Sequence, residues 1–168
     1  AALVREVIPE ARITLSSQIG RLGLLERENA AILNACLGPL GLEVVAAFKQ
    51  ALADSGITAP FYLTQNDGTL MAADLAARFP ILTVASGPTN SMRGAAFLSG
   101  LKDAIVVDIG GTTSDVGVLQ AGFPRQAGVA VEVGGVRTNF RMPDVHSMGL
   151  GGGSRVAADY SAVGPQSV

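Results

Sequence analysis

The stretch that decides the fold is Val106–Gly117, which reads VVDIGGTTSDVG. An apolar run carries Asp108 near its end, two glycines and two threonines follow, and a second aspartate opens another apolar segment. Glycines allow backbone N–H groups to turn outward and approach an anion closely, and threonine hydroxyls add further donors. The pattern therefore predicts two strands joined by a loop, Gly110–Thr113, that binds a phosphate group.

Other interpretations of this stretch fit its residues less well. A Walker loop ends in Gly-Lys-Ser/Thr, which this stretch lacks. A dinucleotide-binding fingerprint is followed by a helix, whereas the alternation over Ser114–Leu119 is typical of a strand. An ordinary hairpin with a Gly-Gly turn stays open as an alternative. The aspartates favour phosphate, because Asp108 could hold Mg²⁺ through water and Asp115 could accept hydrogen bonds from the loop amides.

Outside this stretch, segments typical of strands alternate with segments typical of helices, which predicts the α/β class. The predicted strands are Arg12–Ile19, Phe61–Gln65, Ile81–Ala85, Ala104–Ile109, Ser114–Leu119, one around Val129–Val133 and a last one at Asp144–Met148. The predicted helices are Glu26–Leu37, Leu42–Ser55, Ala72–Arg78 and Asn90–Leu101, with Gly38-Pro39 separating the first two. Turns are expected at Asn66–Thr69 and Ser86–Pro88.

Composition narrows the class of protein. Hydrophobic residues make up 48% of the 168 and charged residues 15%, which excludes intrinsic disorder. A formal net charge of −2 offers no basic patch, so neither nucleic acid nor an anionic membrane is an expected partner. No apolar run approaches the roughly 18 residues of a membrane span. The single cysteine, Cys36, is expected to be buried in a helix and fits a reducing, cytoplasmic location.

Five ordered motifs resemble the hydantoinase A/5-oxoprolinase family, within the actin-like ATPase superfamily. They are Thr14–Ser17 with Glu26–Glu28 and Asn34-Ala35, then Gln65–Thr69, then Ser86–Pro88 with Gly94-Ala95, then Asp108–Val116, and finally Asp144–Gly149 with Gly151–Ser154 and Val163–Ser167. The resemblance implies an actin-like ATPase (ribonuclease H-like) fragment, with a mixed sheet and flanking helices.

The same resemblance implies how the chain is organised. Residues 1–168 would be a partial hydantoinase A-type domain, in which residues 1–80 form a segment of strands and helices. Residues 81–168 would form the lobe that binds nucleotide phosphate. The family's N-terminal domain with the first phosphate loop, and its C-terminal segments, would lie outside this chain.

For function, the resemblance implies ATP-dependent ring opening of a cyclic amide such as hydantoin, N-methylhydantoin or 5-oxoproline. ATP would phosphorylate the substrate oxygen, and water would then open the ring. The alternatives are an ATP-dependent ketone carboxylase subunit, a kinase whose phosphorylated substrate is the product, and a non-catalytic chaperone or reactivating ATPase. The expected cofactors are ATP and Mg²⁺, with room for a second divalent metal ion. The expected protein partner is a hydantoinase B-type subunit or domain.

The residues expected to carry this chemistry come from the two strands around Gly110–Thr113 and from the region after residue 143. The expected catalytic residues are Asp108, Asp115 and His146. The expected nucleotide-binding residues are Gly110, Gly111, Thr112 and Thr113, together with Gly151, Gly152 and Gly153. The expected metal ligands are Asp108, Asp144 and His146.

Alternatives stay open for the second group. Asp144 and His146 lie two residues apart on a predicted strand and would share a face, but they could be a polar pair near the cleft. Four glycines in the six residues 149–154 permit close backbone approach to a ligand, but they could also form a purely structural bend.

Overall fold

The computed structural model describes residues 1–20, 22–128 and 130–165. Its helices are α1 (Ala2–Val7), α2 (Leu25–Asp54), α3 (Ala73–Arg78) and α4 (Ser86–Ser99), with 3₁₀ turns at Ser16–Gln18 and Pro80–Thr83. Its strands are β1 (Tyr62–Thr64), β2 (Leu70–Ala72), β3 (Ala104–Ile109), β4 (Ser114–Gln120), β5 (Phe123–Pro124), β6 (Val131–Val133), β7 (Val136–Thr138), β8 (Val145–Met148), β9 (Ser154–Val156) and β10 (Val163–Pro165).

These elements form two compact units. The first contains Ala1–Val84 and Gly128–Met142, and the second contains Ala85–Ala127 and the chain from Pro143 onward. The division near residue 84 falls close to the boundary expected at residue 80. The return of Gly128–Met142 to the first unit has no counterpart in the sequence-based division, which stays a prediction.

In the first unit, α2 is a single 30-residue helix with Pro39 in its interior. The prediction of two helices separated at Gly38-Pro39 is therefore wrong, although proline removes a helical hydrogen bond. Packing on both sides holds the helix together: Ala30 lies in one buried cluster and Val45 in another. Between them Gly41 lies against Pro80, where a Cβ on Gly41 would be 2.9 Å from the proline Cβ.

Because α2 is continuous, it also corrects the expectation that no apolar segment approaches the length of a membrane span. By length and composition alone, α2 could cross a membrane. These criteria discriminate poorly, since the core helix of a soluble protein passes the same test.

One side of α2 faces the core, and Cys36 lies on the other. Asn34 is buried, and a residue two positions further along a helix points about 200° away from it. Cys36 is accordingly exposed, so the prediction that it is buried is wrong.

Two predicted strands of the first unit are replaced by 3₁₀ turns. Ser16–Gln18 lies within the predicted Arg12–Ile19, and Pro80–Thr83 overlaps the predicted Ile81–Ala85. The Asn34 side chain bonds to a residue of each predicted strand, and at Ile81 it takes a backbone N–H that a neighbouring strand would otherwise use. Its Nδ2 donates to Thr14 Oγ1 at 3.0 Å, and its Oδ1 accepts from the Ile81 N–H at 3.3 Å.

The structure contains the other strands and the short helix predicted for the first unit. β1 pairs antiparallel with β2 around the predicted turn, where Gly68 has a φ of 85°. α3 matches the predicted helix Ala72–Arg78. The strand expected around Val129–Val133 is β6, which forms a hairpin with β7; Val129 itself lies outside the described residues.

The second unit is built on an antiparallel sheet with β4 in the middle. β3 pairs with β4 in the register Asp108↔Asp115, which confirms the predicted strands and the loop between them. The other edge of β4 pairs with β8 and, further along, with β5. α4 covers one face of the sheet, since the buried Met92 lies 2.7 Å from where a Cβ of Gly117 would be.

The start of α4 and the number of strands in this unit differ from prediction. α4 begins at Ser86, so the turn expected at Ser86–Pro88 is its first helical turn, a position that tolerates proline. The strand predicted at Asp144–Met148 is β8, but it is not the last strand. β9 and β10 follow it and pair with each other. Their glycine-rich surroundings give no alternating pattern from which a hairpin could be predicted.

The sheet face turned away from α4 exposes apolar side chains. On β3, the residues that alternate with Asp108 are Ile105, Val107 and Ile109, which are 73%, 55% and 68% exposed. Within the second unit as described, this face has no helix packed against it.

Candidate phosphate-binding site

The four residues expected to bind phosphate form one tight connection between β3 and β4, hereafter the 110–113 loop. The Gly110 N–H donates to the Thr113 carbonyl at 2.9 Å and closes the loop. Gly110, Gly111 and Thr113 are exposed, and Thr112 is partly buried. Among the described residues, no atom beyond its chain neighbours lies within 4 Å of where a Cβ on Gly111 would be, so that side of the glycine is open to approach. A loop of this shape can receive a phosphate oxygen.

Asp108 and Asp115 are brought together beside this loop. They are directly opposed in the β3–β4 register, which places both carboxylates on one face with Cβ atoms about 5 Å apart. This is the face that α4 covers, because Asp115 lies two residues from Gly117 on β4. Two carboxylates this close can share a hydrated divalent cation.

Ser147 lies beside Asp115 on the next strand, so that Asp108, Asp115 and Ser147 form a row across the sheet. This role of Ser147 was not predicted from the sequence. Ser147 opposes Asp115 in the β4–β8 register, and its hydroxyl donates to Asp115 Oδ1. The bond fixes the orientation of the Asp115 carboxylate. The sequence places Ser147 next to His146, one of the predicted site residues. Only the strand register shows that its partner is Asp115.

His146 and Asp144 do not join this row. His146 opposes Val116, so it lies on the sheet face opposite to Asp108 and Asp115. The Asp144 carboxylate is bound by the Arg125 guanidinium, with Nε at 3.0 Å and Nη2 at 2.5 Å from Oδ2. Among the described residues no group of three His, Cys, Asp or Glu side chains could hold a metal ion. The ligand set Asp108, Asp144 and His146 is therefore not assembled here.

The second predicted glycine segment lies directly against the 110–113 loop. The N–H groups of Gly152 and Gly153 donate to the carbonyls of Gly110 and Gly111, at 2.9 and 2.7 Å. Gly151, Gly152 and Gly153 are thus at the predicted site. Two of their amides, however, are bonded to the loop.

α4 adds a favourable electric field at this end of the sheet. Gly100, which follows the last residue of α4, lies beside the turn Ala121-Gly122, at the far end of β4. The N-terminus of α4 therefore points toward the end that carries the 110–113 loop. The positive end of a helix dipole favours anions.

A separate polar feature lies in the first unit, around Asp67. Its carboxylate accepts hydrogen bonds from the Thr69 N–H at 3.0 Å and from Arg141 Nη1 at 3.3 Å, beside a cavity of about 280 Å³. Burial raises the pKa of Asp67, but the bonds from Thr69 and Arg141 outweigh it and hold the pKa below the ordinary 3.8.

We expect Asp67 to stabilise the first unit at neutral pH and to lose that effect in acid. A carboxyl group whose pKa is lower in the folded state adds stability above its unfolded pKa of about 3.9, and this is lost as pH falls through the folded value. Asp67→Asn should lower the free energy of unfolding by about 1 kcal/mol at pH 7 and flatten its decline below pH 4. Urea titrations from pH 7 to 2 measure both.

The matched control for Asp67 is Asp74→Asn, in the same unit. Asp74 forms an ion pair with Lys49 in which both side chains are more than half exposed, so its loss should change stability little. Equal effects of the two substitutions at every pH would contradict the role of Asp67.

Two solved structures share the fold of this chain. An ATP-dependent caprolactamase from Pseudomonas jessenii matches with a TM-score of 0.72 and 20% identity, over 99% of this chain and 25% of its own. A nucleotide-free structure of acetone carboxylase matches with a TM-score of 0.65 and 20% identity, over 90% of this chain and 22% of its own. They confirm the predicted fold class, a mixed α/β fold.

Sequence comparison then identifies the family. The profile of the hydantoinase/oxoprolinase family matches residues 27–168, so the chain belongs to that family, as its motifs predicted. Gln166 and Ser167 of the last motif lie outside the described residues.

The curated relatives are much longer than this chain. The gamma subunit of acetophenone carboxylase from Aromatoleum aromaticum is 28% identical over 90% of this chain and 21% of its own length. An uncharacterized protein from Methanocaldococcus jannaschii is 27% identical over 77% of this chain and, again, 21% of its own. The chain thus spans about a fifth of the relatives it matches.

Proposed function

We propose that this chain provides the nucleotide-phosphate site of an ATP-dependent enzyme that opens a cyclic amide such as hydantoin, N-methylhydantoin or 5-oxoproline. The observation that carries the proposal is the exposed 110–113 loop with Asp108 and Asp115 on one face beside it. Membership of the hydantoinase/oxoprolinase family and the likeness to an ATP-dependent caprolactamase support the choice of substrate class.

The residues of this chain have separate parts in such a reaction. The amides and hydroxyls of the 110–113 loop bind and orient phosphate oxygens, helped by the dipole of α4. Asp108 would hold Mg²⁺ through water, and Asp115, oriented by Ser147, lies opposite it on the same face. When bound, MgATP supplies the phosphoryl group that activates the amide oxygen toward water.

The fit to metal ions differs between the two expected sites. Mg²⁺ suits the Asp108–Asp115 face because it binds through one or two carboxylates and keeps several waters. The site expected to hold a second divalent ion does not fit, since His146 lies on the opposite face and Asp144 is bound to Arg125.

A second candidate function is ATP-dependent carboxylation of a ketone. Two of the relatives favour it, since one is the gamma subunit of acetophenone carboxylase and the other is acetone carboxylase. Because the first of these relatives is a subunit, it also supports the proposal of a partner of the hydantoinase B type. We place the enzyme in the cytoplasm, where its lone cysteine would stay reduced.

The test is to incubate the protein at its natural length, with and without its partner, with MgATP and either cyclic amides or acetone and acetophenone plus bicarbonate. Mass spectrometry of the products and release of ADP and phosphate decide between the candidates. We expect a ring-opened amino acid or carbamoyl amino acid, formed only with ATP. A carboxylated ketone would favour the second function. ATP hydrolysis that consumes no small molecule would favour a chaperone-type ATPase, and absence of ATP binding would overturn all three.

A further inference from the structure

Residues 151–154, hereafter the 151–154 turn, hold the 110–113 loop through its main chain. Gly152 and Gly153 donate to the carbonyls of Gly110 and Gly111. A peptide unit is planar and trans, so the N–H that follows each carbonyl points in the opposite direction. Fixing these two carbonyls therefore turns the N–H groups of Gly111 and Thr112 away from the turn, both toward the same side. Successive N–H groups on one side are the arrangement that binds an anion.

The closeness of this contact explains a glycine at position 151. A Cβ on Gly151 would lie 2.6 Å from the Gly110 carbonyl oxygen and 2.8 Å from the Gly111 carbonyl carbon. In protein structures a Cβ atom essentially never lies within 3.0 Å of an atom from a non-neighbouring residue. The atoms in the way here belong to the backbone and cannot rotate aside. Any side chain at this position must displace the 110–113 loop.

The 151–154 turn is itself held in shape and tied to the sheet. The Gly151 N–H donates to Ser154 Oγ at 2.9 Å, and the Ser154 N–H returns a bond to the Gly151 carbonyl at 3.0 Å. The buried Ser114, at the start of β4, donates its hydroxyl to the Leu150 carbonyl at 2.5 Å. The turn is therefore anchored to the same strand that the 110–113 loop leads into.

We propose that Gly151 and Ser114 are positioning residues, which hold the peptide planes of the 110–113 loop in the orientation that binds phosphate. The proposal rests on the proposed function for the identity of the ligand, a nucleotide di- or triphosphate with Mg²⁺. It assigns the 151–154 turn a different role from direct contact with the nucleotide, because two of its amides are already bonded to the loop. The turn acts on the phosphate through that loop.

The decisive variant is Gly151→Ala, tested in the protein at its natural length. We expect its dissociation constant for MgADP, measured by calorimetry, to rise by about 10- to 100-fold, because small displacements of a binding group have effects of this size. The control is Gly164→Ala on β10, in the same unit, where no described atom beyond the neighbouring residues lies within 4 Å of the added Cβ. It should stay within about twofold of the wild type, in line with an unhindered surface substitution.

Hydrogen–deuterium exchange separates positioning from general loss of structure. Gly151→Ala should speed exchange in peptides that cover residues 108–115 and leave peptides from α2 unchanged, while Gly164→Ala should alter neither. Unchanged exchange over 108–115, or equally faster exchange throughout the protein, would overturn the proposal. If the wild type binds no MgADP, the proposed function fails, and the exchange data still decide whether the turn positions the loop.

A second variant covers the case in which Gly151→Ala does not fold. Ser114→Ala adds no atoms and removes only the hydroxyl that binds the Leu150 carbonyl. We expect it to weaken MgADP binding by about 3- to 10-fold, the usual effect of one hydrogen bond, with faster exchange over 108–115. Affinity and exchange equal to the wild type would overturn the role of this anchor.

Discussion

Asp108→Asn is expected to reduce ATP-dependent turnover at least 100-fold, to about the extent seen when one group that stabilises transition-state charge is removed. A carboxamide keeps the shape of the side chain but cannot neutralise a cation. The same change should not weaken the fold. Asp108 and Asp115 are like charges directly opposed across an antiparallel pair, an arrangement that lowers sheet stability. A loss of activity together with unchanged or higher stability is therefore the expected signature of Asp108.

The measurement pairs steady-state kinetics with thermal unfolding, on the protein at its natural length. Asp103→Asn is the matched control, because Asp103 lies just before the same strand and its Oδ1 accepts a bond from the Ala121 N–H at 3.0 Å. A carboxamide oxygen can still accept that bond, so activity should stay within about twofold of the wild type, as for other surface substitutions. Full activity in Asp108→Asn would remove this residue from the reaction.

Asn34→Ala is expected to lower the free energy of unfolding of the first unit by about 3 kcal/mol. Asn34 is 2% exposed and bonds to three other segments of the chain. Besides Thr14 and Ile81, its Nδ2 donates to the Arg78 carbonyl at 3.1 Å. Removing the amide leaves a buried N–H and a carbonyl without this partner, at a cost of about 1–3 kcal/mol each.

Tyrosine fluorescence can follow this unit alone. The chain has no Trp and two Tyr, of which Tyr62 lies in the first unit and Tyr160 in the second. Urea unfolding in a Tyr160→Phe background therefore reports on Tyr62. The control is Asn29→Ala on the same helix, where the side chain donates a solvent-exposed bond to the Arg137 carbonyl at 2.9 Å. Loss of that bond should cost about 0.5 kcal/mol. Similar midpoints for the two variants would show that Asn34 does not organise the unit.

The parts of this molecule that sequence could predict are those in which neighbouring residues determine the structure. β3, the 110–113 loop and β4 are contiguous, and their pattern predicted both the hairpin and the pair of aspartates beside the loop. The strand expected at Ile81–Ala85 failed because a side chain 47 residues earlier in the chain takes its first N–H. The helix break at Gly38-Pro39 failed because distant packing on both sides outweighs the local cost of proline.

In the candidate site, too, features set by neighbouring residues could be predicted and features set by distant residues could not. The glycines of residues 151–153 attracted notice through composition alone, but their bonds to Gly110 and Gly111 connect positions about forty residues apart. His146 was grouped with Asp108 by chemical type, and the pleat of the sheet separates them. Sequence could select the residue types of the site, whereas strand register decided which of them meet.

The exposed apolar face of β3, which is turned away from α4, affects how readily this chain associates with itself. Its three branched aliphatic side chains point to solvent, and within the described residues β3 pairs with β4 alone, so its other edge carries unused backbone groups. An apolar strand with an open edge is a template for association with a second chain. The heat of dissociation of such aggregates on dilution would add to any calorimetric signal. Static light scattering before each titration, together with a buffer blank, therefore belongs in every binding experiment on the 168-residue chain.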